Sequence, residues 1–262
     1  MTIDYVGYRT SYWNVLIKPT DPIKPINRGP IYALFLAFVW GMSHIYAVFF
    51  HSIGDPIWFT LGLIVLQVWL FTGLFIVAHD TMHGSFLPNN KTLNDWTGRV
   101  ILFWYAGFDW DRMRTAHHQH HATPGTADDP DFNADNPKDF WPWYVTFFLR
   151  YFSWRQLVIL AGISFVYLLI SASYSNLIIM WAVPAILSSV QLFYFGTFLT
   201  HRHADPFPDE HLSRSNNYPE WLSLLTCFHF GYHHEHHLYP HEPWWRLPSR
   251  KRATDEALTS PS

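Results

Sequence analysis

Four stretches of the chain stay apolar for long enough to cross a bilayer: Ile31 to Phe50, Pro56 to Ala78, Arg155 to Ser171 and Leu177 to Leu199. They hold 20, 23, 17 and 23 residues, against the ~20 (range ~17–25) that a spanning helix needs. The third is the shortest, yet Leu157 to Ile170 has no polar face that a soluble helix could turn to water. Gly98 to Phe108 is apolar for only 11 residues. That is too short to span and suits a re-entrant or interfacial segment; Phe140 to Phe152 reads the same way. The pattern predicts an all-α integral membrane protein, with four transmembrane helices in two hairpins and short interfacial helices between them.

Composition supports that reading. Only 14% of residues are charged and 49% are hydrophobic, whereas a soluble domain carries about 25% charge. Lys18, Lys24 and Arg28 precede the first span and Arg150 and Arg155 flank the third, while His51 to Asp55 and Ala172 to Asn176 carry no Lys or Arg. The positive-inside rule then puts both termini, and nearly everything polar, on the cytoplasmic side of the membrane. Trp141, Trp143, Tyr144, Trp244 and Trp245 are candidate headgroup anchors. The first 28 residues hold Asp4, Asp21 and three prolines but no apolar core, so no signal peptide is expected before Ile31. The chain reads as one membrane domain, 1–262, with an N-terminal cytoplasmic segment (1–30) and a flexible tail (254–262). A net charge of -3 gives no field for nucleic acid. A single cysteine, Cys227, excludes an intrachain disulfide and cysteine-based metal sites.

Histidine carries the candidate chemistry. Three clusters share nearly one spacing: His79 with His83; His117, His120 and His121; His233, His236 and His237. On a helix, positions three or four apart share a face, so each cluster aims its imidazoles at one point. All three lie on the side where the polar segments gather, and a metal is the object that suits them. Eight imidazoles exceed what one first-row ion uses, so the count points to two ions. His201, two residues beyond the last span, is the ninth candidate ligand, with His203 competing for the place. His44 and His51 read as packing or hydrogen-bonding residues. His118, His211, His229, His234 and His241 read as outer or solvent-facing. Asp80, Asp128, Asp129, Asp131 and Glu235 interleave with the clusters. They are candidates for accepting the second N–H of metal-bound imidazoles, which fixes the rings and raises their basicity. No Glu-x-x-His pair of a carboxylate-bridged centre is present.

The HxxxH, HxxHH and HxxHH set on apolar helices resembles the membrane fatty-acid desaturase and hydroxylase superfamily. FIVAHDTMHGS (75–85), HHATPGTADDPDF (120–132), QLFYFGTFLTHR (191–202) and SLLTCFHFGYHHEHHLYPHEPWWRLPS (223–249) are similar, more narrowly, to bacterial beta-carotene ketolases. The resemblance covers most of the chain from Ile31 to Ser249. It implies two iron ions (Fe2+), O2 as co-substrate and a membrane-dissolved carotenoid. The C4 methylene of a beta-ionone ring would become a ketone, giving echinenone and canthaxanthin, and astaxanthin where hydroxylated rings are accepted.

The chain has no GxGxxG fingerprint, haem motif or cysteine set for an iron–sulfur cluster. Electrons are therefore expected from a separate ferredoxin or reductase. Arg202, Arg214, Arg246, Arg250, Lys251 and Arg252 could dock it, or could bind anionic headgroups instead. Two rivals differ in chemistry. A fatty-acid or sphingolipid desaturase would share every ligand, and a zinc hydrolase would use the same imidazoles. A metal-ion transporter wants ionisable groups at mid-membrane depth, where the spans offer only His44.

Overall fold

The structure is a computed structural model that describes residues 28–259. Most of the expected N-terminal segment and the last three residues lie outside that range. Among the described residues every regular element is helical. In chain order these are α1 (Gly29–Phe50), α2 (Ile57–His83), α3 (Lys91–Ala106), α4 (Trp110–Ala122), α5 (Phe140–Tyr151), α6 (Trp154–Leu169), α7 (Tyr174–His201), α8 (Glu220–Cys227), α9 (His233–Leu238), a short 3-10 turn (Trp244–Arg246) and α10 (Leu247–Thr259).

Helices α1, α2 and α7 are each long and apolar enough to cross a membrane unaided. The expected third span departs from this. Helix α6 has 16 residues, and it meets α5 at a bend of 76°. The pair makes a fourth crossing only if it counts as one broken span. The break lies at Phe152 and Ser153, where the Ser153 N–H donates to Gln156 Oε1 at 3.0 Å and starts a new helix. A cap of this kind satisfies donors that a helix start leaves free. Phe140 to Phe152 is thus the first arm of a bent pair. Gly98 to Phe108 is not an isolated segment either, because Gly98 to Ala106 forms the second half of α3, which Asn90 caps by accepting from the Leu93 N–H at 3.0 Å.

Helix α2 is the hub and packs against α1, α3 and α7. Its residues from Leu70 to Met82 that face these neighbours, among them Phe71, Leu74, Ile76 and Ala78, are buried. A helix buried on every side has no polar face to turn outward. By contrast α1 turns Leu34, Phe35, Phe38 and Met42 outward, and α6 turns Leu157, Val158, Phe165 and Leu169 outward. Exposed apolar surface on that scale calls for lipid. This is a membrane protein. Polar ties set the register inside it: Ser188 on α7 bonds Thr72 on α2 (3.1 Å) and Tyr105 on α3 (3.3 Å). At the far end, the Asn176 amide donates to the carbonyls of Val48 (3.2 Å) and His51 (2.8 Å).

Gly98 lets α3 and α4 close on the histidine end of α2. A Cβ there would lie 2.1 Å from Thr81 Oγ1 and 2.2 Å from Trp110 Nε1. Those two atoms are themselves bonded at 3.0 Å, which fastens the start of α4 to α2. Where a flexible tail is expected from Thr254, α10 continues to Thr259. Lys251 pairs with Asp255 one turn on, and Thr254 Oγ1 donates to the Arg250 carbonyl at 3.1 Å.

Candidate metal centre

The histidines stand at helix ends. His79 and His83 occupy the last turn of α2, which Gly84 ends directly afterwards in a left-handed conformation (φ 71°). Asp109 caps α4 by accepting from the Arg112 N–H, and that helix carries His117, His120 and His121. His201 is the last residue of α7, and α9 holds His233, His236 and His237.

Their ring nitrogens form two groups, each with its atoms within 4.8 Å of one another: His79, His83, His117, His121 and His236; and His120, His201, His233 and His237. In the first, His83 Nε2 is 2.7 Å from His117 Nε2 and His121 Nε2 is 3.0 Å from His236 Nε2. In the second, His237 Nε2 lies 3.2 Å from His120 Nε2 and 3.1 Å from His233 Nε2. The groups adjoin, since the His121 ring stacks on that of His237 with centroids 4.3 Å apart. Both nitrogens of His79 and Nε2 of His201 are buried with no hydrogen-bond partner. Leaving such groups unpaired is costly, and a cation removes the cost. Metal–imidazole bonds of ~2.0–2.1 Å put nitrogens on one ion at most ~4.2 Å apart, so both groups fit an ion after a small inward shift.

Burial, aided by repulsion among the rings, pushes His117, His233, His236 and His237 well below the ordinary histidine value and His121 down to about 2. They are neutral, as ligands must be. His120 differs. Burial lowers it too, but its hydrogen bond to Asp129 and the charges of Asp131 and Asp129 outweigh that, and its pKa is raised.

The five interleaved carboxylates separate. Asp129 accepts from His120 Nδ1 with both oxygens at 3.0 Å, and is held in turn by the N–H groups of Gly125 (2.8 Å) and Asp131 (2.7 Å). Asp131 lies near, with Oδ2 3.9 Å from His120 Nδ1, but its hydrogen bond comes from the Tyr151 hydroxyl. Asp80 Oδ1 is 3.5 Å from His79 Nδ1 and forms no bond with it; its Oδ2 accepts the Trp244 N–H at 3.0 Å. The other two stand apart from the rings. Glu235 is buried against Ser215, whose hydroxyl it accepts, because the face of α9 opposite the imidazoles turns it away. Asp128 is exposed, and only its backbone carbonyl is engaged, by Gln119.

His201 and His203 are also told apart. His201 Nδ1 donates to the Leu212 carbonyl at 2.8 Å, which leaves Nε2 free to join its group. His203 stacks on Phe132 outside both groups. Sequence reasoning missed Asp209, which bonds His234 Nε2 at 2.9 Å and His211 Nδ1 at 3.1 Å and so ties the loop after α7 to α9. A spacing of 25 residues from Asp209 to His234 leaves no local signal. His44 stacks on Trp40 and reaches Tyr167 at 3.4 Å, and His51 bonds Thr60 at 3.0 Å. Both lie away from the two groups.

One cavity of about 480 Å³ reaches the centre. His79, His117, His120 and His233 line one end; Leu160, Ser164 and Leu168 of α6 form one wall. The other wall is α7, which contributes residues on nearly every turn from Tyr174 to Thr197. At 1.5 Å per residue that path is roughly 35 Å long.

The fatty acid desaturase family model matches residues 55–162 and 149–260. The chain belongs to the fatty acid desaturase family. Within it, the chain is similar to beta-carotene ketolases. It is 46% identical over 221 residues to a beta-carotene ketolase of a Paracoccus species, covering 83% of this chain and 90% of the relative. A second Paracoccus beta-carotene ketolase is 43% identical over 235 residues (88% and 95%). Beta-carotene 4-ketolase 3 of Haematococcus lacustris is 38% identical over 202 residues (74% and 62%).

The basic residues behind the centre are largely neutralised. Arg246 and Arg250 pair with Glu242, Lys251 with Asp255 and Arg252 with Glu220. Arg214 donates to the carbonyls of Arg202 and Asp205 at 2.7 Å each.

Proposed function

We propose that this chain is a carotenoid ketolase that holds two iron ions. In this reading His79, His83, His117, His121 and His236 hold one ion and His120, His201, His233 and His237 the other. The observation that carries the reading is the long apolar cavity between α6 and α7 that ends at His79, His117, His120 and His233. A rod-shaped hydrocarbon enters such a slot end-on and brings one terminal ring to the imidazoles.

When bound, the iron pair supplies the power to activate O2, with electrons from an external ferredoxin-like donor. Converting one methylene to a ketone consumes two O2, four electrons and four protons, and releases three waters. The first oxidation gives an alcohol, the second at the same carbon a geminal diol, which loses water. The chain's own residues supply position and environment. Phe75, Phe108, Phe193 and Trp181 line the slot and exclude water from the ring. Asp129 fixes the His120 ring through Nδ1, and the Leu212 carbonyl fixes His201. Such outer partners set ring orientation and ligand basicity. The same reading places α5 and α6 together as one broken span, giving four crossings in two hairpins, with both termini on the cytoplasmic side of the inner membrane.

Expression in a host that accumulates beta-carotene tests this. Pigment extracts are expected to contain 4-keto carotenoids, with a 4-hydroxy intermediate when electron supply is limiting. New double bonds in host lipids with carotene untouched would overturn the ketolase reading in favour of a desaturase.

A further inference from the structure

The metal end of the cavity carries a polar pair that holding the imidazoles does not require. Asp129 alone satisfies His120 Nδ1 with both its oxygens. Asp131, two residues on, accepts the Tyr151 hydroxyl on Oδ1, and no hydrogen bond among the described residues reaches Oδ2, which stays 3.9 Å from the His120 ring. Asp131 and Tyr151 both line the cavity at the end where His117 and His120 line it. Their placement is rigid. Trp143 Nε1 donates to the Asp131 carbonyl at 2.7 Å, and Arg150 donates to the carbonyls of Asp129, Pro130 and Phe132. The result is an oriented carboxylate oxygen with an unused acceptor site, facing an otherwise largely apolar slot.

We propose that Asp131 and Tyr151 are positioning residues for the oxygenated ring. Asp131 Oδ2 accepts a hydrogen bond from the hydroxyl that the first oxidation places on the substrate, and Tyr151 holds the carboxylate in the orientation that allows it. This rests on the ketolase reading and deepens it. A hydrocarbon ring brings no donor to Oδ2, so the pair acts selectively on the alcohol. The alcohol stays at the metal end with its remaining C4–H facing the imidazoles, and the reaction continues to the ketone. A hydrogen bond to a charged acceptor is among the stronger ones in proteins, and its loss in an apolar site leaves the carboxylate oxygen unsatisfied.

The test uses the full chain and the variants Tyr151→Phe and Asp131→Asn in a beta-carotene host, measuring products, iron content and ligand binding. In both variants the second oxidation is expected to fall about tenfold more than the first, so the alcohol-to-ketone ratio rises about tenfold. The second readout is independent of turnover. Iron-loaded protein in detergent, kept free of O2 so that no turnover occurs, is titrated with beta-carotene and with its 4-hydroxy derivative, following quenching of tryptophan fluorescence, to which Trp181 on the cavity wall contributes. The wild type is expected to favour the alcohol by about tenfold, and Tyr151→Phe to abolish that preference. An unchanged product ratio with an unchanged binding preference overturns the proposal. Loss of iron from Tyr151→Phe also overturns it, by making the pair part of the metal's support. A wild type that yields no 4-oxygenated carotenoid refutes the ketolase reading itself, a result separable from either variant outcome.

Discussion

The two imidazole groups differ in what stands behind the rings. In the four-membered group, His120 is braced by Asp129 at 3.0 Å and His201 by the Leu212 carbonyl at 2.8 Å. In the five-membered group the nearest carboxylate, Asp80, is 3.5 Å from His79 Nδ1 and accepts its hydrogen bond from the Trp244 N–H instead. One group is oriented by partners outside it, the other by the crowding of five rings at helix ends. The lesson is that ligand number and ligand support trade places across the centre. The five-membered group has the additional nitrogen, and the four-membered group has two rings, His120 and His201, fixed from outside.

The largest effects test whether both groups hold an ion that turnover needs. His237→Ala in one group and His83→Ala in the other are each expected to lower ketone formation more than ~100-fold, beyond the ~10–100-fold that losing an outer partner costs. Iron should fall from two per chain to one or none. Full activity in either variant would break the dinuclear reading.

Support is tested next. Asp129→Asn is expected to weaken metal retention or turnover by ~10–100-fold, and Asp80→Asn by several-fold less, because Asp80 braces Trp244 rather than a ring. Equal losses in the two variants would erase the contrast. A smaller difference should appear in metal removal. During incubation with a chelator, iron is expected to leave in two phases, with the less braced five-membered group emptying first at about tenfold the rate of the other. A single phase, followed as iron retained per chain, would mean that the bracing does not distinguish the ions.

The smallest effect concerns the loop behind the four-membered group. Asp209→Asn removes the carboxylate that joins His211 to His234, and is expected to cost about 1–3 kcal/mol of stability. Thermal unfolding in detergent should show it as a lower Tm with iron content retained. Iron loss as large as that of Asp129→Asn would show instead that Asp209 braces the centre.

Much of this was legible along the chain because its cause is local. Apolar runs of bilayer length mark α1, α2 and α7, since a spanning helix must satisfy its own backbone and face lipid with apolar side chains. The histidine spacing placed the ligand candidates because positions three and four apart share a helix face. The break near Phe152 was legible, since Phe140 to Phe152 and Arg155 to Ser171 read as separate segments, but the 76° at which α5 and α6 meet was not, because hydropathy carries no direction from one helix to the next. The carboxylates were legible only as neighbours in sequence. Glu235 sits between His234 and His236 yet faces Ser215, and Asp128 adjoins Asp129 yet faces outward.

By itself, then, the sequence determined the membrane class, the three long spans and the identity of eight imidazoles able to converge, consequences of side-chain periodicity within single helices, with a ninth place left open between His201 and His203. Only the tertiary structure divided those nine into five and four, chose His201 over His203, gave His120 its carboxylate and joined Asp131 to Tyr151. The physical reason is separation. His120 meets His237 across 117 residues and Asp131 meets Tyr151 across 20. Contacts of that reach are set by how α2, α4, α7 and α9 pack at one end of the bundle.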